Sequence, residues 1–185
     1  MEWTRRELAG AVADLVNDAY RLAQTELFDE VVPRTTSAEV AAAIRDGDLY
    51  VAELGGRLVG SVMVRVLDES TTHVGTLAVA PRAAGRGVAR AILDHVEGSS
   101  REAGRPVVCL DLLVPDPATD HQERLRRWYE RRGYRPTSRR SFARVEPRAA
   151  DRLRHPTALV RYEKRVTADG RTGPARGVVE SEATT

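Results

Sequence analysis

The sequence predicts an α/β fold built on a mixed, mostly antiparallel sheet, and three features of its patterning carry that prediction. Residues 48–79 hold three β-patterned runs separated by turn signals, the arrangement of an antiparallel meander. Residues 77–114 then run strand, glycine-rich turn, helix, strand, a length that suits a parallel crossover. Apolar residues at helical spacing open the chain and recur in an amphipathic segment that closes at Gly133, so helices accompany the sheet.

Each element has a local reason. Thr4 and Glu7 form a capping box, and Leu8, Ala11, Val12, Leu15, Val16, Ala19 and Leu22 follow at helical spacing, predicting a first helix over about residues 5–23. Thr36 and Glu39 form a second capping box for a short helix that Gly47 ends. "DLYVAEL", "GG" and "RLVGSVMVRVL" read as strand, two-residue hairpin turn and strand, and "THVGTLAV" as the next strand. The glycine turn leads into a helix over about residues 88–103, followed by the apolar crossover strand "PVVCLDLLV". "HQERLRRWYERRG" is a helix, and "YRPTSRRSFARV" and "TALVRYEKRV" read as the last two strands. From Thr167 onward there is no periodicity, so the chain divides into one domain over residues 1–166 and a disordered tail over 167–185.

Composition narrows the function classes. With 42% hydrophobic and 30% charged residues, and no apolar run near the roughly 20 residues needed to span a bilayer, the chain reads as a soluble globular protein without a membrane segment. The single cysteine, Cys109, and a first segment without a signal-peptide core point to the cytoplasm. Lys164 is the one lysine among 29 basic residues, which reflects codon bias as much as guanidinium chemistry. Residues 1–66 hold 7 basic and 11 acidic side chains, against 15 and 4 in residues 124–165. No helix-turn-helix or ribonucleoprotein pattern accompanies the basic stretch, so a nucleic-acid partner is not expected. His73, His95, His121 and His155 lack zinc-ligand spacing, and no metal is expected.

Two motifs carry chemistry. In "LAVAPRAAGRGVARAIL", Gly85 and Gly87 let the backbone bend tightly where a strand hands over to a helix, and helix-start amides beside them make a place for a phosphate. In "RRWYERRGY", an amphipathic helix brings Trp128 and Tyr129 to the turn at Gly133.

Together these residues resemble the GCN5-related N-acetyltransferase (GNAT) family over roughly residues 5–166. The strand-ending pattern is Leu77-Ala78-Val79-Ala80-Pro81, and the cofactor motif continues as Ala84-Gly85-Arg86-Gly87-Val88-Ala89, with Ala84 where the family usually has Arg or Gln. Tyr129, Gly133 and Tyr134 match the family's Tyr-x-x-x-Gly-Phe/Tyr motif. The family usually begins with a strand, for which Met1–Trp3 are barely enough.

The resemblance implies a GNAT fold with helices on both faces and a splayed parallel strand pair, and acetyl-CoA inserted at the splay. Its pantetheine would bond the backbone of Leu77, Ala78 and Val79; its pyrophosphate would meet the amides of Gly85, Arg86, Gly87, Val88 and Ala89; and Arg82, Arg86 and Arg90 would suit the nucleotide phosphates. The implied reaction is direct attack of an amine on the thioester in a ternary complex, with Tyr129 as acid and the Leu77 or Val79 amide supporting the oxyanion. Asp111, a carboxylate in an apolar strand whose pKa desolvation should raise, is the candidate base, with bound water as the alternative. The acidic cluster Glu26, Asp29 and Glu30 lies in the segment that walls the acceptor pocket in this family. The expected acceptor is a primary amine of a small molecule, with a protein or peptide acceptor, or a non-catalytic acyl-CoA-binding module, as alternatives; the chain is expected to be a monomer or homodimer.

Overall fold

The computed structural model describes residues 5–30 and 33–167. Met1–Trp3, the cap expected at Thr4 and the tail beyond Thr167 lie outside them. Among the described residues the sheet has six strands, β1 (Leu49–Leu54), β2 (Arg57–Val66), β3 (Thr71–Val79), β4 (Val107–Pro115), β5 (Arg135–Ser141) and β6 (Thr157–Arg165), in the order β1-β2-β3-β4-β6-β5. Every neighbouring pair is antiparallel except β3 with β4, which are joined by the crossover helix α3 (Val88–Glu102).

Helices cover both faces, as the resemblance implies. On one face α3 and α4 (Asp120–Arg131) bury Ile92, Leu93, Val96 and Tyr129 against Val62, Val74, Val108, Leu110 and Leu112. On the other, α1 (Arg5–Leu27) and α2 (Ser37–Asp46) bury Val12, Ala13, Val16 and Val40 against Leu58, Ala78 and Ala80. Gly60 lets α3 settle close on β2: a Cβ there would lie 2.8 Å from Ile92 Cδ1 and 2.9 Å from Val88 Cγ1. This contact fixes where α3 begins, and so where the glycine turn sits. Among the described residues no helix is long and apolar enough to cross a membrane.

The feature that builds the site is a bulge. Val74 pairs with Val64 and Leu77 with Val62, so Gly75 and Thr76 together oppose Met63, and β3 bends there. A Cβ at Gly75 would press on the Met63 carbonyl oxygen at 3.3 Å. The parallel ladder with β4 stops at the same place, its last rung being Val74 with Leu110. Beyond it β3 stays with β2 through Val79 and β4 stays with β6 through Pro115. The two strands therefore part, leaving a gap between residues 75–79 and 111–115.

Two expectations change. α1 runs to Leu27 rather than ending near residue 23. Residues 142–145, expected to continue a strand, form the short helix α5 (Phe142–Val145), followed by α6 (Pro147–Ala150). The reason is tertiary: Phe142 is buried with its ring edge-on to Phe28 at 6.4 Å, which draws the chain off the sheet edge and onto the end of α1.

Candidate active site

One wall of the gap is the outer edge of β3. The Ala80 amide donates to the Val59 carbonyl at 2.9 Å, and in an antiparallel ladder the direction of the backbone groups alternates. Ala78 therefore points its backbone toward β2, with its side chain buried against α1, whereas Leu77 and Val79 turn their N–H and C=O groups into the gap. The Leu77 carbonyl already has a partner: the Tyr20 hydroxyl, arriving from α1, donates to it at 3.1 Å. The Arg34 guanidinium lies 5.5 Å from the centre of the Tyr20 ring. Burial pushes the Tyr20 phenol above its ordinary pKa, with Arg34 and the Leu77 hydrogen bond opposing the rise.

At the end of β3 the chain makes a 3-10 turn over Pro81–Ala83 and then the glycine turn into α3. Gly85 and Gly87 have φ of +73° and +80°, in the left-handed region that glycine reaches without cost, and open space lies where a Cβ would stand at either. Among the described residues neither amide has a backbone acceptor, while those of Ala83, Ala84 and Arg86 do. The first helical bond of α3 runs from Ala91 to the Gly87 carbonyl at 2.9 Å, so the amides of Val88, Ala89 and Arg90 come before the ladder starts. This is a concave set of N–H groups at the positive end of a helix dipole.

The three arginines differ in their situations. Arg82 braces the turn by donating to the Leu58 carbonyl at 2.7 Å, Arg90 lies 3.7 Å from the exposed Asp94 carboxylate, and Arg86 is exposed beside the glycines.

Tyr129 approaches from α4 on the opposite face to α1. Gly133 (φ +92°) turns the chain so that the Tyr134 amide donates to the Tyr129 carbonyl at 3.1 Å, and the Trp128 and Tyr134 rings stand edge-on to Tyr129 at 4.8 and 5.6 Å. Desolvation raises the Tyr129 pKa well above that of a free phenol, and Tyr20 adds to the rise while Arg132 opposes it. Tyr129 is thus a protonated phenol at neutral pH, a donor rather than an acceptor of protons.

Asp111 is the first residue of β4 beyond the last rung shared with β3. Its surroundings overturn the expectation of a raised pKa. Desolvation is the largest single influence and acts upward, but the hydrogen bonds from His73 and Arg161, together with the Arg161 charge, outweigh it and hold the carboxyl well below the usual carboxylate range. Arg161 grips both oxygens, Nε to Oδ1 at 3.0 Å and Nη2 to Oδ2 at 2.8 Å, and His73 Nε2 donates to Oδ2 at 3.3 Å. A carboxylate so fully engaged is a weak base.

The three acidic residues expected to wall the acceptor pocket have different surroundings. Asp29 lies 3.7 Å from Arg154, Glu30 is exposed, and Glu26 faces the His121 side of α4, where desolvation lowers the His121 pKa against the pull of Glu26. The backbone of this segment is tied down: Phe28 bridges to Leu153, Asp29 N donates to Arg152 O at 2.9 Å, and Arg154 N donates to Leu27 O at 3.0 Å. Because residues 152–156 lead into β6 at the Pro115–Thr157 rung, this tie carries the end of α1 across the open end of the gap. Tyr20 and His73, which motif spacing did not single out, are the residues the fold adds to the site. Among the described residues no cluster of His, Cys, Asp or Glu is placed to hold a metal ion.

A sheet split between parallel neighbours, with an amide cradle at one end of the split and a protonated tyrosine beside it, is the framework of an acyl-CoA-type transferase. Residues 45–136 match the family described as an acetyltransferase (GNAT) domain, and the chain belongs to the GNAT acetyltransferase family, whose acyl donor is acetyl-CoA. Among solved structures, the fold is similar to an aminoglycoside 6'-N-acetyltransferase complexed with coenzyme A (TM-score 0.63, 15% identity, covering 90% of this chain and 96% of that one). It is similar to smu.2055 from Streptococcus mutans (TM-score 0.66, 13% identity, 87% and 95% covered) and to Ard1 from Thermoplasma volcanium (TM-score 0.58, 21% identity, 97% of both). No curated protein sequence matches.

Proposed function

We propose that this enzyme transfers the acetyl group of acetyl-CoA to a primary amine of a small molecule, by direct attack in a ternary complex. The observation that carries the reading is the gap between β3 and β4, with the backbone groups of Leu77 and Val79 facing into it and the amide cradle of Gly85 to Arg90 at its end. The groups fit the donor: an extended amide-bearing arm needs strand-like partners along the gap, and a pyrophosphate needs uncommitted N–H groups at its end. Arg86, exposed beside the cradle, suits the nucleotide phosphates.

In this reading the residues divide the work. The Leu77 or Val79 amide supports the oxygen that gains charge as the amine attacks. Tyr129, kept protonated by burial, gives its proton to the departing sulfur. The end of α1, tied to residues 152–154 across the open end of the gap, walls the acceptor side, which favours a compact amine over an extended polypeptide. The similarity in fold to an aminoglycoside acetyltransferase is in keeping with such an acceptor.

The test is thiol release from acetyl-CoA across a panel of polyamines, aminoglycosides, amino acids and N-terminal peptides. Saturable turnover with a small amine is the expected result; turnover confined to the peptides contradicts the acceptor class, and acetyl-CoA binding without turnover on any amine contradicts catalysis.

A further inference from the structure

We propose that His73 is the general base of this reaction, oriented by Asp111 and Arg161; the proposal rests on the acetyl-transfer reading above. An ammonium carries no lone pair, so the acceptor must lose a proton before it attacks, and the site must supply something to take it. Tyr129 is a proton donor in this environment, and the Asp111 carboxylate is engaged by Arg161 and His73 at both oxygens.

The His73 imidazole is placed differently. Its hydrogen bond to a carboxylate requires the proton on Nε2, which leaves the lone pair of the neutral ring on Nδ1. Among the described residues nothing donates to or accepts from Nδ1, and the side chain as a whole is 22% exposed, so the ring is not sealed in the core. Arg161 fixes Asp111, Asp111 fixes the ring, and the ring has one uncommitted nitrogen: a base held in one tautomer by a carboxylate that does not itself change protonation. The cluster stands at the fork, His73 on the rung below Val74–Leu110 and Asp111 one residue beyond that rung. From His73 the strand runs through the Gly75–Thr76 bulge to Leu77, so base and oxyanion support lie on one short, bent segment.

The step balances. Nδ1 of His73 takes one proton from the acceptor ammonium, and the freed lone pair forms the N–C bond as the C–S bond breaks. Sulfur takes the Tyr129 proton, the second proton leaving nitrogen restores Tyr129, and His73 passes its proton to water. Ammonium and acetyl-CoA become the acetamide, CoA thiol and one proton.

The test combines three readouts on the full chain. In His73→Ala, kcat should fall on the order of a hundredfold, within the range general bases supply. The acetyl-CoA Kd by calorimetry should stay within twofold, and added imidazole should restore part of kcat. In the donor-free protein, nitrogen NMR should find His73 as the Nε2–H tautomer, and Asp111→Asn should lose that preference. A purely structural tie between β3, β4 and β6 predicts a lower Tm with kcat retained in the folded fraction. If His73→Ala fails to fold, His73→Gln takes its place. A kcat within threefold of wild type in a folded His73 variant, or an Nδ1–H tautomer in wild type, overturns the proposal. A wild type that does not bind acetyl-CoA instead removes the acetyl-transfer reading itself.

Discussion

The hydroxyl of Tyr20 donates to the carbonyl oxygen of Leu77 at 3.1 Å, joining α1 to the edge of β3 across 57 residues of sequence. Leu77 turns that carbonyl away from β2, so the phenol sits on a backbone group that, in the proposed reading, the donor's arm would use. Where the arm takes the phenol's place on this carbonyl, donor binding displaces a hydrogen bond with a net worth of about 1 kcal/mol. Tyr20→Phe is expected to tighten acetyl-CoA binding by roughly fivefold, as read by titration calorimetry. Unchanged or weaker binding would mean that Tyr20 keeps its place in the bound state.

Tyr129→Phe removes one oxygen from a ring that the Trp128 and Tyr134 edges hold in place, so the variant should fold and bind as wild type does. Its kcat should drop by about a hundredfold, with acetyl-CoA affinity unchanged, the signature of a lost proton donor. Retained turnover would take the acid role away from Tyr129.

Glu97 holds three elements together away from the gap. Its carboxylate accepts from Tyr134 Oη at 3.0 Å, Arg132 Nη2 at 3.2 Å and Lys164 Nζ at 2.6 Å, tying α3 to the end of α4 and to β6. Glu97→Ala leaves two cations and a buried hydroxyl without their shared acceptor, and urea unfolding should register a loss of about 3 kcal/mol. A loss under about 1 kcal/mol would mean that water replaces the carboxylate freely.

Asp111 gives a pH signature with a definite sign. Its folded pKa is depressed, so its contribution to stability is complete above the unfolded value of about 3.9 and is lost as pH falls below that toward the folded pKa. The urea midpoint of the wild type should therefore fall on acidification from pH 5 to 3. Asp111→Asn should start lower and show a shallower decline over that window. Parallel profiles would show that the Arg161 and His73 contacts do not hold in solution.

Much of this architecture was legible in the residues. The Thr36–Glu39 capping box forms reciprocally, Thr36 N to Glu39 Oε2 at 2.8 Å and Glu39 N to Thr36 Oγ1 at 3.2 Å, and Gly47 closes α2 at φ +76°. Such local signals act within a few residues, and so do the two glycines before α3 and the Gly133 turn. What could not be read depends on partners distant in sequence. The bulge at Gly75–Thr76 exists only against Met63, and Asp111 has a depressed pKa because the fold brings it His73, 38 residues away, and Arg161, 50 residues away. An apolar strand around a carboxylate signals desolvation; it says nothing of a guanidinium arriving from β6. Motif spacing did not single out Tyr20, because its partner Leu77 lies 57 residues away, and Phe142 read as strand because its partner Phe28 is distant in the sequence.

The most direct test of the account is calorimetric titration of acetyl-CoA into the wild type and into Gly87→Glu. The substitution puts a carboxylate where the cradle amides converge and forces a side chain to φ +80°, a strain of about 1 kcal/mol that Gly87→Ala reproduces without the charge. Saturable one-to-one binding by wild type, little changed in Gly87→Ala and weakened at least tenfold in Gly87→Glu, is the predicted result. No binding by wild type, or equal affinity in Gly87→Glu, would contradict the claim that this gap and its glycine turn hold the acyl donor.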